Sequence, residues 1–149
     1  MPIKDKHPCF ILVNPQMGEN IGASARGMWN FGLKRMRIVS PRDGWPNQKA
    51  VAMASGAGRI LDDALIFQTL SDAIADQHFV FATTARPRDL IKPIYSPQEA
   101  IKLAFSKISK GQNVGFAFGP ERSGLENSDI IKANAIVSVP VNEQFPSLN

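Results

Sequence analysis

The chain has 149 residues, of which 44% are hydrophobic and 20% are charged, and it contains one cysteine. These values indicate a globular protein with a substantial core, exclude a scaffold built on internal disulfides, and suit the reducing cytoplasm. No apolar run approaches the ~20 residues of a membrane-spanning helix, so no membrane association is predicted. The formal net charge is +4, and residues 1–60 hold nine Lys and Arg against three Asp and Glu. This uneven charge suggests a polyanionic partner, although a solvated basic face is the alternative.

In the first half of the chain, short apolar strands alternate with helices. The predicted elements are a strand at Cys9–Val13, a helix over 21–31, a strand at Met36–Val39, an interrupted helix over 48–60, and a strand at Leu65–Phe67. Asn20 is the predicted N-cap of the first helix and Gly32 its C-terminal stop, while Ser71 is the predicted cap of a short helix over 72–76.

The second half continues the same alternation. The predicted elements are a strand over 79–82, a helix at Pro97–Ser109, a strand at Val114–Phe118, a short helix over 128–132 and a strand over 136–139. Strands that alternate with helices predict an α/β fold with a mainly parallel sheet flanked by helices.

The strand Val114–Phe118 is followed by an unusual turn. Gly119-Pro120 ends the strand, and the charged residues Glu121 and Arg122 follow before Gly124. Ligands of open α/β sheets bind outside the carboxyl ends of the strands, so this turn is the leading candidate for a site. An ordinary strand-to-helix turn with solvated charges is the alternative. A P-loop is excluded because Leu125-Glu126 stands where Lys-Ser/Thr is required.

The first predicted helix combines small residues with a single charge. Gly22, Ala23, Ser24, Ala25 and Gly27 predict a close approach to another backbone or to a ligand. Arg26 is the long polar residue among them, and it is either a solvent-facing side chain or part of a site.

Three other features carry less information. Gly56-Ala57-Gly58 lacks the third glycine and the preceding strand of a dinucleotide fingerprint, so it is weak evidence for an NAD-dependent oxidoreductase. The two histidines have no partners at metal-ligand spacing, and no metal site is predicted. Cys9 heads an apolar run and is expected to be a buried core residue.

Three segments together resemble the SpoU-type RNA 2′-O-ribose methyltransferases of the SPOUT superfamily. Asn20-Ile21-Gly22-Ala23-Ser24-Ala25-Arg26 resembles the first family motif, 118–125 the second, and 139–149 the third. The motifs follow in family order across nearly the whole chain. Thr83-Thr84-Ala85-Arg86 and 118–125 look most similar to the family's tRNA anticodon-loop ribose methylases.

The resemblance implies a single SPOUT domain over residues 1–149, a C-terminal trefoil knot, a homodimer, and S-adenosylmethionine as cofactor. The family continues beyond the Ser-Leu-Asn of its third motif with a helix that completes the knot. This chain ends at Asn149, so the expectation is that this helix is missing and the knot is incomplete.

The resemblance also implies roles for particular residues. The implied cofactor site consists of Thr83, Thr84, Ala85, Gly119, Glu121, Val139, Pro146, Ser147 and Leu148. The implied catalytic residues are Arg26, Ser147 and Asn149, with Glu121 as their organiser. The RNA-binding residues, chosen from the motifs and the basic charge, are Asn20, Arg26, Arg35, Arg37, Arg42, Arg86 and Arg88.

Methyl transfer to a ribose hydroxyl needs alignment more than it needs a charged nucleophile. Because a guanidinium stays protonated at neutral pH, Arg26 is predicted to clamp the adjacent phosphate and stabilise the developing alkoxide. Its use as the base that removes the hydroxyl proton is the alternative. The predicted function is methylation of RNA, with tRNA favoured over rRNA. A non-catalytic RNA- or cofactor-binding module and a Rossmann-type oxidoreductase are the rival classes.

Overall fold

The computed structural model describes residues 7–84 and 91–139. Its strands, in chain order, are β1 (Cys9–Val13), β2 (Met36–Val39), β3 (Leu65–Phe67), β4 (Phe79–Thr84), β5 (Ile94–Tyr95), β6 (Val114–Phe118) and β7 (Ala135–Ser138). Its α-helices are α1 (Gly18–Asn30), α2 (Gln48–Ala54), α3 (Gly58–Asp62), α4 (Leu70–Ala73), α5 (Pro97–Ser109) and α6 (Asn127–Ile130). A 3₁₀ turn, Ser55–Ala57, joins α2 to α3.

The strands form one sheet in the order β3-β2-β1-β6-β4-β7-β5, and every neighbouring pair is parallel. The prediction of an α/β fold with a mainly parallel sheet is confirmed. β6 lies between β1 and β4, so the order of the strands along the chain reverses at the centre of the sheet. A crevice at such a reversal is where open α/β sheets bind ligands.

Helices cover both faces of the sheet. Successive side chains of a strand point to opposite faces, and here the residues on both faces are mainly apolar and need to be buried. On one face, α1, α2 and α3 pack against Met36 and Ile38, and α5 packs against Phe81 and Phe116, with Phe10 touching both groups. On the opposite face, α4 and α6 pack with a cluster whose strand members are Cys9, Ile11, Val13, Val39, Val80, Ala82, Ala117 and Ile136. The expected burial of Cys9 is confirmed, and burial raises the pKa of its thiol.

The small residues of α1 allow its close contact with α2. A Cβ added at Gly22 would lie 2.2 Å from the carbonyl oxygen of Ala50 and 2.8 Å from the Cβ of Met53. The predicted close approach of this helix to another backbone is therefore confirmed, and that backbone belongs to α2.

The starts of α1 and α4 differ from their predictions because their caps were misassigned. α1 begins at Gly18 after Met17, which offers no side-chain cap, so Asn20 lies inside the first turn and is not the N-cap. α4 begins at Leu70 because the hydroxyl of Thr69, rather than that of Ser71, accepts from the N–H of Asp72. By contrast, α5 has its predicted bounds.

Arg37 corrects the predicted RNA-binding set. It is 5% exposed, and its guanidinium donates to the carbonyl oxygen of Ala73 at 2.7 Å and to the carboxylate of Asp76, with Nη2 2.7 Å from Oδ2. It also lies 5.6 Å from the centroid of the Phe67 ring. Arg37 is therefore part of the packing between β2 and α4, and an exposed RNA-binding face does not include it.

Removing the carboxylate of Asp76 is expected to destabilise the fold by about 1–3 kcal/mol, because the buried guanidinium of Arg37 loses its charged partner. The hydrogen bond from Arg37 holds the pKa of Asp76 well below its usual range. A lowered folded-state pKa stabilises the fold at pH values above the unfolded-state pKa and less as the pH falls. The stability difference between wild type and Asp76→Ala should therefore shrink below pH ~4.

Urea unfolding of both proteins at several pH values measures this difference. Asp62→Ala, which removes an exposed carboxylate from α3, is the matched control and should be near wild type. A stability difference that stays constant from neutral to acidic pH would contradict the ion-pair explanation.

Candidate active site

The loop after β6 folds tightly back on itself. A Cβ at Gly119 would lie 2.2 Å from the carbonyl carbon of Gly124 and 2.2 Å from the backbone nitrogen of Leu125. The N–H of Gly124 donates to the carbonyl oxygen of Pro120 at 2.9 Å, and Gly124 has a φ of +70°. The backbone conformation of the loop therefore requires glycine at both positions. Leu125, which is 3% exposed, anchors the loop in the core.

The ends of β4 and β7 lie beside this loop because parallel strands end at the same edge of the sheet. The hydroxyl of Thr83 donates to the carbonyl oxygen of Ala117 in β6 at 2.9 Å. The N–H of Val139 donates to the carbonyl oxygen of Thr84 at 3.0 Å. Thr83, Thr84, Gly119 and Val139, which the resemblance implied for the cofactor site, thus share one edge.

Glu121 connects the loop after β6 to the residues that precede α1. Its Oε2 accepts from the N–H of Met17 at 2.7 Å, and its Oε1 accepts from the N–H of Gln16 at 3.0 Å. The side chain of Asn20 also acts on this carboxylate, whose pKa it lowers. One carboxylate therefore holds together segments about a hundred residues apart in sequence.

These hydrogen bonds determine the ionisation of Glu121. Burial alone would raise the pKa of its carboxyl. The N–H groups of Gln16 and Met17 and the side chain of Asn20 together lower this pKa by more than burial raises it, so the net shift is downward. Glu121 is consequently a stable carboxylate at neutral pH. A group that accepts several hydrogen bonds in its charged form is suited to organising a site rather than to exchanging protons.

Asn20 and Arg26 lie on the helix that Glu121 anchors. Asn20 is in the first turn of α1, next to Glu121, and Arg26 follows on the same helix with an exposed side chain. The six residues that separate them correspond to about 9 Å along the helix axis.

The remaining predicted RNA-binding residues are dispersed. Arg42 is exposed, and its Nε lies 3.0 Å from Oδ1 of Asp43. Arg35 is half-buried just before β2. Seven predicted site residues lie outside the described part of the chain: Ala85, Arg86, Arg88, Pro146, Ser147, Leu148 and Asn149.

Two residues of the site were missed by sequence reasoning. Gln16 and Met17 contribute backbone N–H groups to Glu121, and a backbone donor has no characteristic side chain. The only available signal was the loop composition of Asn14-Pro15-Gln16-Met17-Gly18 before a helix without a capping side chain.

The other candidates occupy structural positions. Gly56 and Gly58 lie at the junction of α2 and α3, so they do not follow a strand as a dinucleotide-binding turn must. The Nδ1 of His78 accepts from the N–H of Asn113 at 2.7 Å, which ties β4 to the residue before β6. Within residues 7–84 and 91–139, no group of three His, Cys, Asp or Glu side chains could hold a metal ion.

Gly119→Ala is expected to weaken cofactor binding by about 10-fold or more, because the added Cβ must displace the backbone at Gly124 and so deform the loop. Calorimetric titration with S-adenosylhomocysteine measures this affinity. Gly56→Ala is the matched control, since a Cβ there meets no atom within 4 Å. Equal affinities of the two variants would show that the shape of this loop is unimportant for binding.

The open parallel sheet, the strand-order reversal at its centre and the polar loops at the carboxyl edge define a ligand-binding α/β domain. Comparison with known families identifies which family of such domains this chain belongs to. The profile of the SpoU rRNA Methylase family matches residues 8–149. The chain belongs to this family, as the three motifs predicted.

Individual relatives are similar over nearly the whole chain. The tRNA (cytidine-2′-O-)-methyltransferase TrmJ of Methanocaldococcus jannaschii is 39% identical over 142 residues, which cover 93% of this chain and 60% of the relative. The tRNA (cytidine/uridine/adenosine-2′-O-)-methyltransferase TrmJ of Pseudomonas aeruginosa is 36% identical over 139 residues, covering 93% and 54%. The chain thus spans little more than half the length of these relatives.

Among solved structures, TrmJ from Z. mobilis ZM4 is 50% identical, with a TM-score of 0.89 over 96% of this chain and 62% of that one. This likeness confirms the fold class. None of the helices in the described ranges is long and apolar enough to cross a membrane.

Proposed function

We propose that this chain is an RNA 2′-O-ribose methyltransferase that uses S-adenosylmethionine and acts on tRNA. The observation that carries the proposal is the hydrogen bonding of Glu121. This carboxylate joins the loop after β6 to the segment before α1, and so couples the implied cofactor loop to the helix of Arg26. Membership of the SpoU rRNA Methylase family and the names of the relatives support the reaction type.

The described residues fit the cofactor in their chemistry. The turn at Gly119 packs directly against the backbone of Gly124 and Leu125, so this edge of the sheet carries a tight loop made largely of backbone. Glu121 is the one carboxylate in the segment 119–125, and its oxygens are already engaged with N–H donors. Neutral backbone groups suit an adenine and ribose hydroxyls, which need hydrogen bonds rather than ion pairs.

When bound, S-adenosylmethionine supplies an electrophilic methyl group on a sulfonium sulfur. Held by the loops after β4, β6 and β7, it would supply this methyl to the 2′-oxygen of the ribose with its own sulfur as the leaving group, and the hydroxyl proton would leave to solvent. We assign Arg26 to the phosphate next to this ribose, where its planar guanidinium binds two oxygens and stabilises negative charge on the 2′-oxygen. Glu121 fixes the position of α1, and thus of Arg26, relative to the loop.

Other features of the family belong to the same proposal. We propose a homodimer, a cytoplasmic location and a C-terminal trefoil knot, formed within a single SPOUT domain. The residues Ala85, Arg86 and Arg88, with Pro146, Ser147, Leu148 and Asn149, complete the proposed cofactor, catalytic and RNA sites. tRNA is favoured over rRNA because both curated relatives described above are named as tRNA methyltransferases.

Two measurements test the proposal. Calorimetric titration is expected to show that the protein binds S-adenosylhomocysteine and does not bind NAD. The reverse result would favour an oxidoreductase. Incubation with methyl-labelled cofactor is then expected to label tRNA. A tRNA with a 2′-deoxyribose at the modified nucleotide is the matched control and should remain unlabelled. Binding of cofactor and tRNA without transfer would favour a non-catalytic binding module.

A further inference from the structure

A cleft outside the candidate active site lies between the C-terminal end of α1 and α3. Its volume is about 290 Å³, and it is lined by Trp29, Lys34, Arg59, Ile60 and Asp63. Trp29 is 46% exposed although it is a large aromatic residue, while Ile60 is 2% exposed and forms part of the apolar lining. The cleft therefore presents an accessible aromatic side chain beside two cationic ones.

The charges in the cleft favour an anionic ligand. Lys34 and Arg59 are opposed by one acidic residue, Asp63. Arg59 Nε lies 3.9 Å from Asp63 Oδ2, and the two side chains are 82% and 68% exposed. Since such an exposed ion pair contributes little, Arg59 is available to a phosphate.

The position of the cleft connects it to Arg26. Trp29 follows Arg26 by three residues on α1, and both side chains are exposed. Residues three apart are neighbours on one side of a helix, separated by about 5 Å along the axis. A nucleic acid bound at Arg26 therefore needs only a short stretch of its own backbone to reach Trp29.

Aromatic side chains next to cations are the recognition elements of unpaired nucleotides. A base with a free face stacks on an aromatic ring, while Lys and Arg bind the phosphates beside it. A base inside a duplex has no free face, so the same cleft discriminates against paired RNA. A protein partner with an acidic apolar segment, or a second copy of the chain, would also meet these side chains, but neither explains the continuity with Arg26.

We propose that this cleft binds an unpaired nucleotide of the RNA substrate, with its base against Trp29 and its phosphates at Lys34 and Arg59. This inference rests on the proposed function and adds a specificity determinant for looped RNA. The cleft holds the substrate at a second point, beyond the nucleotide that is methylated.

The test compares Trp29→Ala with Phe31→Ala in binding to an RNA stem-loop. Phe31 is 81% exposed and does not line the cleft, so it is a matched aromatic control. Trp29→Ala should weaken RNA binding by about 5- to 100-fold, the range for losing one stacked base. Phe31→Ala should stay within about twofold of wild type. For a fully paired RNA of equal length, the affinities of both variants should differ little from that of wild type.

Three further measurements separate stacking from other roles. Trp29→Phe should recover most of the affinity because an aromatic face remains. Lys34→Ala combined with Arg59→Ala should reduce the slope of log affinity against log salt by about 1–2. The affinity for S-adenosylhomocysteine should stay the same in every variant, while the KM for RNA rises with the dissociation constant.

Equal RNA affinities of Trp29→Ala and wild type would overturn the inference and leave the proposed function intact. If Trp29→Ala lowers the mass in sedimentation, and its RNA affinity recovers at protein concentrations that restore that mass, the cleft contacts a second copy and the inference fails. If wild type neither binds nor methylates RNA, the proposed function fails first, and the inference fails with it.

Discussion

Replacing Arg26 with Ala is expected to lower the single-turnover rate of RNA methylation at least ~100-fold, the scale for losing one oriented charge-stabilising donor. The affinity for S-adenosylmethionine should be nearly unchanged, because Arg26 lies on the exposed side of α1 and is proposed to contact only the RNA. Rapid-quench measurement of labelled RNA, with calorimetry for the cofactor, gives both quantities. Asn30→Ala, another exposed position on α1, is the matched control and should react at the wild-type rate.

Arg26→Lys separates the two chemical roles of this residue. If Arg26 clamps a phosphate, Lys should restore little activity, because a point charge lacks the planar fork, and the rate–pH curve should keep its shape. If Arg26 is the base, the alkaline limb of that curve should move toward the pKa of the new lysine. A large loss of cofactor binding in Arg26→Ala would instead move this residue to the cofactor side.

Glu121→Ala is expected to reduce turnover by about 100-fold through misplacement of α1 relative to the loop after β6, the proposed cofactor loop. The N–H groups of Gln16 and Met17 lose their common acceptor, so the fold should also lose about 1–2 kcal/mol of stability. Unfolding in urea and single-turnover rates per folded molecule measure the two effects. Arg122→Ala, an exposed neighbour in the same loop, is the control for stability.

The pH dependence of Glu121→Gln checks this role. Hydrogen bonds hold the pKa of Glu121 below its ordinary value, so the carboxylate stabilises the fold above pH ~4.3 and progressively less as the pH falls toward its folded-state pKa. The stability of Glu121→Gln should therefore approach that of wild type on acidification. A melting temperature that falls far while activity per folded molecule stays normal would make Glu121 a purely structural residue.

Much of the sheet was predictable because its strands are short apolar runs bounded by turn residues. β1, β2, β3 and β6 have their predicted bounds, and α5 does as well because Ser96 and Glu99 form a local capping box. β5 was not predicted, since the two residues Ile94–Tyr95 are too few for a periodic pattern. Local signals were therefore sufficient for these elements, although the local cap of α4 was misassigned to Ser71 instead of Thr69.

Two other errors occur where a distant residue decides the local structure. The N-terminus of α1 has no capping side chain of its own and instead lies beside Glu121, so a search for a nearby cap selected Asn20. Arg37 looked like a surface cation because its partner, Asp76, is far along the chain. In the site, the motifs singled out Glu121, whose carboxylate accepts from the N–H groups of Gln16 and Met17, whereas these backbone partners carry no sequence signal.

The strand order has a consequence for biosynthesis. β6 lies between β1 and β4, yet both of those strands leave the ribosome before it does. Until residues 114–118 emerge, β1 and β4 each present an open edge to the cell, and such edges recruit other chains and chaperones. Because the loop that starts at Gly119 directly follows β6, the pairing of β6 with β1 and β4 also brings this loop to the edge of the sheet. The proposed ligand site therefore cannot form in a nascent chain before the gap between β1 and β4 is filled by β6.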